Sequence, residues 1–371
     1  MRPEISVLVT PRDGHHYQDL LYGHITPLGV RVRYASGPTR SQTLNVAAAP
    51  FVLLWRRVQH FRVLHIHWTF QFSLPWARRR KWAQMLMQWW FGFYLWCAQS
   101  LGYRIVWTAH DLLPHDPIFR DDRRARDMLI ARATTVLALS EATARELTGL
   151  GARNVRVTPM GTYSDPYPVS LSRVEARRSF GFGDDDVVFG LIGRIEPYKG
   201  VDLLLVASAQ LPVSSPFKVL VAGLCTDDEY REELSRLSAA LGDKVVLDFQ
   251  WVPNEDLARY FQAIDFAVLP FREITNSASV LLAQSFGRPV AISDLEELRD
   301  IPESGAIRFD VDGDGEIEPL VTALKEALEL TEEEYSRMSK AALAWATQFD
   351  WASVAKSTVV AYEEALRSRL D

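Results

Sequence analysis

The sequence predicts an α/β protein of two domains, each a parallel sheet with helices between its strands. Three observations lead there. The chain has 371 residues, more than one hydrophobic core usually serves. Short β-branched runs alternate with helical patterns along its whole length, as βαβ units require. The same alternation occurs on both sides of a proline-interrupted stretch ending at Pro168, which reads as a linker. The expected division is therefore 1–168, 169–345, and a last helix, 346–371, returning to the first domain. A hydrophobic share of 48% against 24% charged residues supplies enough apolar surface for both cores.

In chain order, Ile5 to Val9 is a β-branched strand. The loop after it, PRDGHHYQDLLY, puts His16, Tyr17 and Gln18 at the start of a helix. Polar side chains at a strand end suit a substrate loop, and they suit a helix-capping turn equally well. Gly29 to Tyr34 is the next strand, and 44–57 reads as a helix. Val63 to His67 is a strand ending His-Ile-His-Trp. His65 and His67 occupy alternate positions and share one face. No third ligand stands nearby in sequence, so a polar pocket wall is preferred to a metal site. Residues 103–108 form a further strand, leading into His110, Asp111, His115 and Asp116. Two His-Asp pairs at a strand end are the best acid–base constellation in the chain. Strands within 133–140 and at 154–158 complete the first half.

The second half centres on Gly190 to Ala207. An apolar run reaches Gly193, then Arg194 and Lys199 follow on a loop closed by Pro197 and Gly200, before a helix from Val201. Two cations at the carboxyl end of a strand and the start of a helix suit a diphosphate. Strands are expected at 187–192, 217–222, 244–250, 265–269, 289–293 and 307–310. The stretch Asn276-Ser277-Ala278-Ser279 opens a helix and offers a second anion site through its free N–H groups. The segment VDGDGEIE lacks the flanking helices and ligand order of a calcium loop and is discounted. Helices at 331–347 and 350–370 end the chain.

Charge is unevenly spread. Residues 1–170 hold 21 Lys and Arg against 11 Asp and Glu, and the remainder 20 against 36. The first half is thus suited to an anionic partner. Within it, 74–102 joins four consecutive cations to an apolar segment rich in tryptophan. Its glutamines argue against a transmembrane span and for a helix at the membrane interface. Nucleic acid is disfavoured, because the tryptophans gather in one helix instead of interleaving with cations. Two distant cysteines exclude a disulfide framework, and the N-terminus lacks a signal peptide's apolar region. The expected location is cytoplasmic, peripheral on the inner membrane face.

The segments GRIEPYKGVDLLLVA and FGRPVAISD resemble the retaining, family-4 type of GT-B glycosyltransferase. The larger set HIHW, WTAHDLLPHD, RIEPYKGV and PFREITNSASVLLAQSFGRPV is similar to the bacterial exopolysaccharide β-mannosyltransferases of the GDP-mannose-dependent xanthan type, which invert. The resemblance implies two Rossmann-like domains facing each other across a cleft. It implies a metal-independent transfer of a hexose, mannose from GDP-mannose, onto a lipid-diphosphate-linked or other saccharide in exopolysaccharide assembly. Arg194 and Lys199 would contact the donor diphosphate. Two departures stand out. The first acid of the family's Glu–seven residues–Glu motif corresponds to Glu273, while its second, near Leu282, is absent; and Asp111 stands where the β-mannosyltransferase pattern has Asn.

On this reading the donor lies against Gly193, Arg194, Lys199, Glu273, Asn276, Ser277, Ala278 and Ser279, with its base near Gly223, Trp251 and Val252. The acceptor is lined by His16, Tyr17, His67 and Trp68, and the base is chosen among Asp111, His115, His110 and Asp116. No cofactor is expected. A retaining transferase using another nucleotide sugar, and a non-catalytic nucleotide-sugar-binding protein, are the alternatives. An epimerase or phosphorylase of this architecture would act without an acceptor.

Overall fold

The structure, a computed structural model, describes residues 5–12, 16–35, 39, 41–69, 72–74, 76–77, 80–114, 117–162, 171–274, 278–310 and 317–368. The chain forms two compact units, Met1–Gly161 with Asp350–Asp371, and Thr162–Phe349. The sequence places the corresponding divisions a few residues later and earlier, at 168 and 346.

The first unit holds strands β1 (Ile5–Thr10), β2 (Val30–Tyr34), β3 (Val63–Ile66), β4 (Arg104–Ala109), β5 (Thr135–Ala138) and β6 (Val155–Val157). All pairs are parallel, in the order β2-β1-β3-β4-β5-β6. The strands are apolar on both faces because helices cover both. Leu8, Leu64, Ile66, Ile105 and Trp107 share one core with helices Gln42–Val58, Lys81–Ser100 and Asp122–Arg132. Val7, Val9, Val63, Val106 and Leu137 share the other with helices His16–Ile25 and Trp351–Arg367. That alternation is the period-two pattern of a strand, and each buried aliphatic contributes about 1.5–3 kcal/mol.

The second unit holds β7 (Val187–Ile192), β8 (Phe217–Ala222), β9 (Val245–Asp248), β10 (Phe266–Leu269), β11 (Val290–Ser293) and β12 (Ala306–Phe309). They are parallel, in the order β12-β11-β10-β7-β8-β9. A buried carboxylate anchors the pairing of β7 with β10. Asp265 accepts the Val188 N–H at 2.8 Å and a hydrogen bond from Arg177, and pairs with Arg173 at 2.5 Å. Arg177 is fully buried, and it also donates to the carbonyls of Gly183, Asp184 and Asp186. Every strand expected from sequence is present within a few residues. Two helices were missed: Arg173–Ser179, which carries Arg177, and Glu318–Glu329. The second buries Leu320, Val321 and Leu324 at helical spacing, a signal available in the sequence. Among the described residues no helix is long and apolar enough to cross a membrane.

Candidate functional site

In both sheets the strand order reverses beside the first strand, between β1 and β3 in one unit and between β7 and β10 in the other. Loops leaving the two strands diverge there and open a crevice at their carboxyl ends. Each unit places polar residues at that point, of opposite character.

In the second unit β7 runs into Gly193 and then the 3₁₀ turn Pro197–Lys199. The next helix, Val201–Ala209, starts at Gly200, whose φ is 68°. A Cβ there would lie 2.1 Å from the Pro270 carbonyl oxygen, so only glycine lets the two loops meet. Gly223, at the end of β8, has φ 147°, and a Cβ on it would lie 1.9 Å from the Gly193 carbonyl oxygen. The loops are also bonded together. The Arg272 N–H donates to the Tyr198 carbonyl at 2.8 Å, and its guanidinium donates to Pro197 at 2.6 Å and to Asp202 at 2.5 Å. The Tyr230 hydroxyl donates to the same Asp202 carboxylate at 2.7 Å.

That frame brings two polar atoms to one place. A side chain built on Gly193 would lie 3.6 Å from Lys199 Nζ and 3.8 Å from Ser279 Oγ. Lys199 is buried, and desolvation lowers its pKa to about 8, with Glu196 opposing and Arg194 reinforcing the drop. An anion beside it would restore the lost solvation of the ammonium. Ser279 lies in the first turn of the helix Ala278–Ser285, where backbone N–H groups lack intrahelical partners. Arg194 is exposed, with Nε 2.6 Å from Glu196 Oε1, so its guanidinium is available to a ligand from solvent. Glu273 and Ala278 are exposed at the same end of the sheet. Trp251 follows β9 and is 58% exposed, while Val252 beside it is buried. Asn276 and Ser277 lie outside the described residues.

The first unit holds a buried network of imidazoles and phenols. His65 and His67 leave β3 on one face, their ring centres 4.1 Å apart. Tyr22 Oη lies 2.8 Å from His65 Nδ1 and 2.7 Å from His67 Nε2. Its one proton can serve only one of them, so the other imidazole must donate to the phenol oxygen. Tyr362, on the last helix, stands 2.6 Å from His65 Nδ1, and Thr108 Oγ1 stands 2.8 Å from His65 Nε2. His67 Nδ1 lies 3.0 Å from His110 Nε2. Desolvation lowers the pKa of His65 to about 3. His67 is lowered well below its ordinary value by desolvation, then by His65 and His110. Both rings are therefore neutral at physiological pH.

His110 is held between aromatic rings. Trp68 stacks on it at 4.0 Å and 17°, and Tyr17 meets it edge-on at 4.7 Å. Two expectations change here. His67 and Tyr17, expected to line an acceptor, are buried and support His110 from behind, because the polar ends of His67 are already engaged inside. Trp68, half-buried, stacks on a neighbouring imidazole. Asp111 is half-buried directly after His110. His115, Asp116 and the side chain of His16 lie outside the described residues. The sequence reading gave Tyr22 no role, although it ends the quoted stretch PRDGHHYQDLLY, and missed Tyr362, which arrives from the distant last helix. Among the described residues no group of three His, Cys, Asp or Glu could hold a metal ion.

Residues 172–345 match the family model described as Glycosyl transferases group 1. The D-inositol 3-phosphate glycosyltransferase of Geodermatophilus obscurus is 29% identical over 326 residues, covering 82% of this chain and 67% of that protein. The protein of the same name from Nocardia farcinica is 26% identical, over 92% of this chain and 78% of its own length. Among solved structures, HepE of Anabaena in complex with UDP and glucose has a TM-score of 0.73 at 17% identity, covering 97% of this chain and 99% of that one. Sucrose-phosphate synthase from Thermosynechococcus elongatus has a TM-score of 0.73 at 18% identity, over 98% and 99%. The family match falls within the second unit, and the chain shares the two-domain α/β fold of these solved structures.

Proposed function

We propose that the chain is a glycosyltransferase that moves a hexose from a nucleoside-diphosphate donor to a hydroxyl of a saccharide acceptor. The observation that carries this is the convergence of Lys199 Nζ and Ser279 Oγ beside Gly193, at the switch point of the second sheet. Together with Arg194 and the helix N-terminus, they oppose the charge that develops on a leaving diphosphate. Two cations and N–H dipoles suit a transfer that needs no metal. Trp251 offers an exposed ring to the nucleotide base. On the first unit, His110 and Asp111 are the described candidates for taking the acceptor proton. Neutral His67 behind His110 keeps the pair free of a competing positive charge.

The resemblance of HIHW, WTAHDLLPHD, RIEPYKGV and PFREITNSASVLLAQSFGRPV, apart from the departures at Asp111 and near Leu282, supports mannose from GDP-mannose, transferred with inversion to a lipid-linked acceptor in exopolysaccharide assembly. The enzyme would work peripherally on the cytoplasmic membrane face, held through 74–102. A second reading has its own support. The relatives named D-inositol 3-phosphate glycosyltransferase, and a structural neighbour in complex with UDP and glucose, favour a UDP-sugar donor and a phosphorylated polyol acceptor. Thermal shift with GDP-, UDP- and ADP-sugars separates the two, followed by NMR assignment of the product anomer. Stabilisation by GDP-mannose alone and an inverted product support the first; stabilisation by a UDP-sugar and a retained product support the second. No response to any nucleotide sugar would remove both.

A further inference from the structure

From Leu20 to His110 the sequence carries eleven Arg and Lys and no Asp or Glu, although acids make up 47 of the 371 residues. The helices Gln42–Val58 and Lys81–Ser100 both lie in that stretch. They pack side by side: Trp90 Nε1 donates to the Val46 carbonyl at 2.9 Å, and Trp76 bridges their starts, 3.3 Å from Thr43 Oγ1 and 6.1 Å from the Trp82 ring. Both contribute to the same core on the same face of the sheet, so their outer sides point away from it together.

Those outer sides should be polar in a helix that meets only water. They are not. On the first helix the exposed stripe reads Leu44, Phe51, Leu54, Trp55 and Val58. On the second it reads Trp82, Met85, Leu86, Trp89, Phe93 and Trp96. These positions recur at helical spacing, so each helix has one apolar stripe in the core and another outside. Eleven of the nineteen large apolar side chains exposed among the described residues lie on these two helices. An apolar surface concentrated in this way marks an interaction site.

The charges decide what covers it. Arg80 and Lys81 stand exposed at the start of the second helix, and Arg56 and Arg57 lie in the last turn of the first, with Arg56 over the Trp55 ring at 4.3 Å. Neither helix has an acid to pair with them. A second copy of the chain would bring this basic rim against itself. An anionic lipid leaflet opposes it and takes tryptophan at its headgroup level. We propose that the two helices form one docking face for an anionic bilayer surface, with the aromatic stripes in the interface and the arginines on lipid phosphates. This deepens the contact placed above on 74–102 alone: the helix Gln42–Val58 is an equal partner in it. The docking does not depend on turnover.

The test is sedimentation of the full chain with phosphatidylcholine vesicles, with and without phosphatidylglycerol. The wild type should partition onto the anionic vesicles and be released by salt. The double variants Phe51→Ser/Trp55→Ser and Trp89→Ser/Trp96→Ser should each weaken partition by about tenfold or more. Thermal unfolding and nucleotide binding should stay as in the wild type, since these side chains face solvent. Loss through the second variant alone, with Phe51→Ser/Trp55→Ser binding normally, would overturn the two-helix face and leave the 74–102 contact standing. Absence of binding to either vesicle, or a dimer in light scattering that both variants dissociate, would overturn lipid docking while leaving the sugar-transfer reading untouched.

Discussion

The two switch points of this molecule solve opposite problems. The second unit buries a cation: Lys199, in the turn after β7, loses charge stability to desolvation, which Glu196 only partly opposes. The first unit buries bases: desolvation lowers the pKa of His65 and His67, and His65, His67 and His110 are linked through hydroxyls and one another. One site is poised to receive negative charge from outside; the other has satisfied its polar atoms within. The same topology therefore does not dictate a site's electrostatics. Residues at the strand ends do, through what each leaves unsolvated.

The sharpest break of this contrast is Arg194→Ala or Lys199→Ala. Each should lower donor turnover by roughly 10²–10³-fold, the usual loss when one preorganised donor to a developing anion is removed. Turnover equal to wild type in steady-state assays would end the diphosphate assignment. Next comes Gly200→Ala, which should cost roughly 2–4 kcal/mol in urea unfolding, because φ is positive and the new Cβ would strike Pro270.

The two sites should also respond to opposite ends of the pH scale. Nucleoside-diphosphate affinity should fall as pH rises through about 8, where Lys199 loses its proton, and Lys199→Arg should flatten that profile in calorimetry. In the first unit the folded pKa of His65 is depressed from 6.5 to about 3, so the unfolded chain binds the proton more readily. The stability His65 contributes is complete above 6.5 and is lost progressively as pH falls toward about 3, an effect on the order of a few kcal/mol by acid-induced unfolding. Tyr22→Phe should cost less, about 1–3 kcal/mol, by leaving His67 Nε2 buried without that phenol. The smallest effect is expected from Arg272→Ala. Its pair with Asp202 is 41% exposed on the arginine side, so screening limits the loss to under about 1 kcal/mol in the same unfolding assay.

Much of the donor side was legible in sequence because it is local. Gly193, Arg194, Lys199 and Gly200 span eight consecutive residues at a strand-to-helix junction, and spacing alone places them at one sheet edge. The acceptor side was legible only in part. HIHW and WTAHD pointed to polar strand ends, but the sequence reading put His67 and Tyr17 against a ligand, where the fold buries them behind His110. A period-two pattern says which residues share a face; it does not say what arrives to cover that face.

By itself the sequence determined the α/β class, the strand positions and the loop bearing two cations, because these follow from periodicity, glycine placement and contacts between near neighbours in the chain. Only the tertiary structure decided which apolar stripe of Lys81–Ser100 faces outward, since that helix is apolar on both sides. It alone set Ser279 beside Lys199, and Tyr22 and Tyr362 beside His65. Those pairings join residues far apart in the chain, and they exist only because the crossovers lay helices from distant parts of the chain against one sheet.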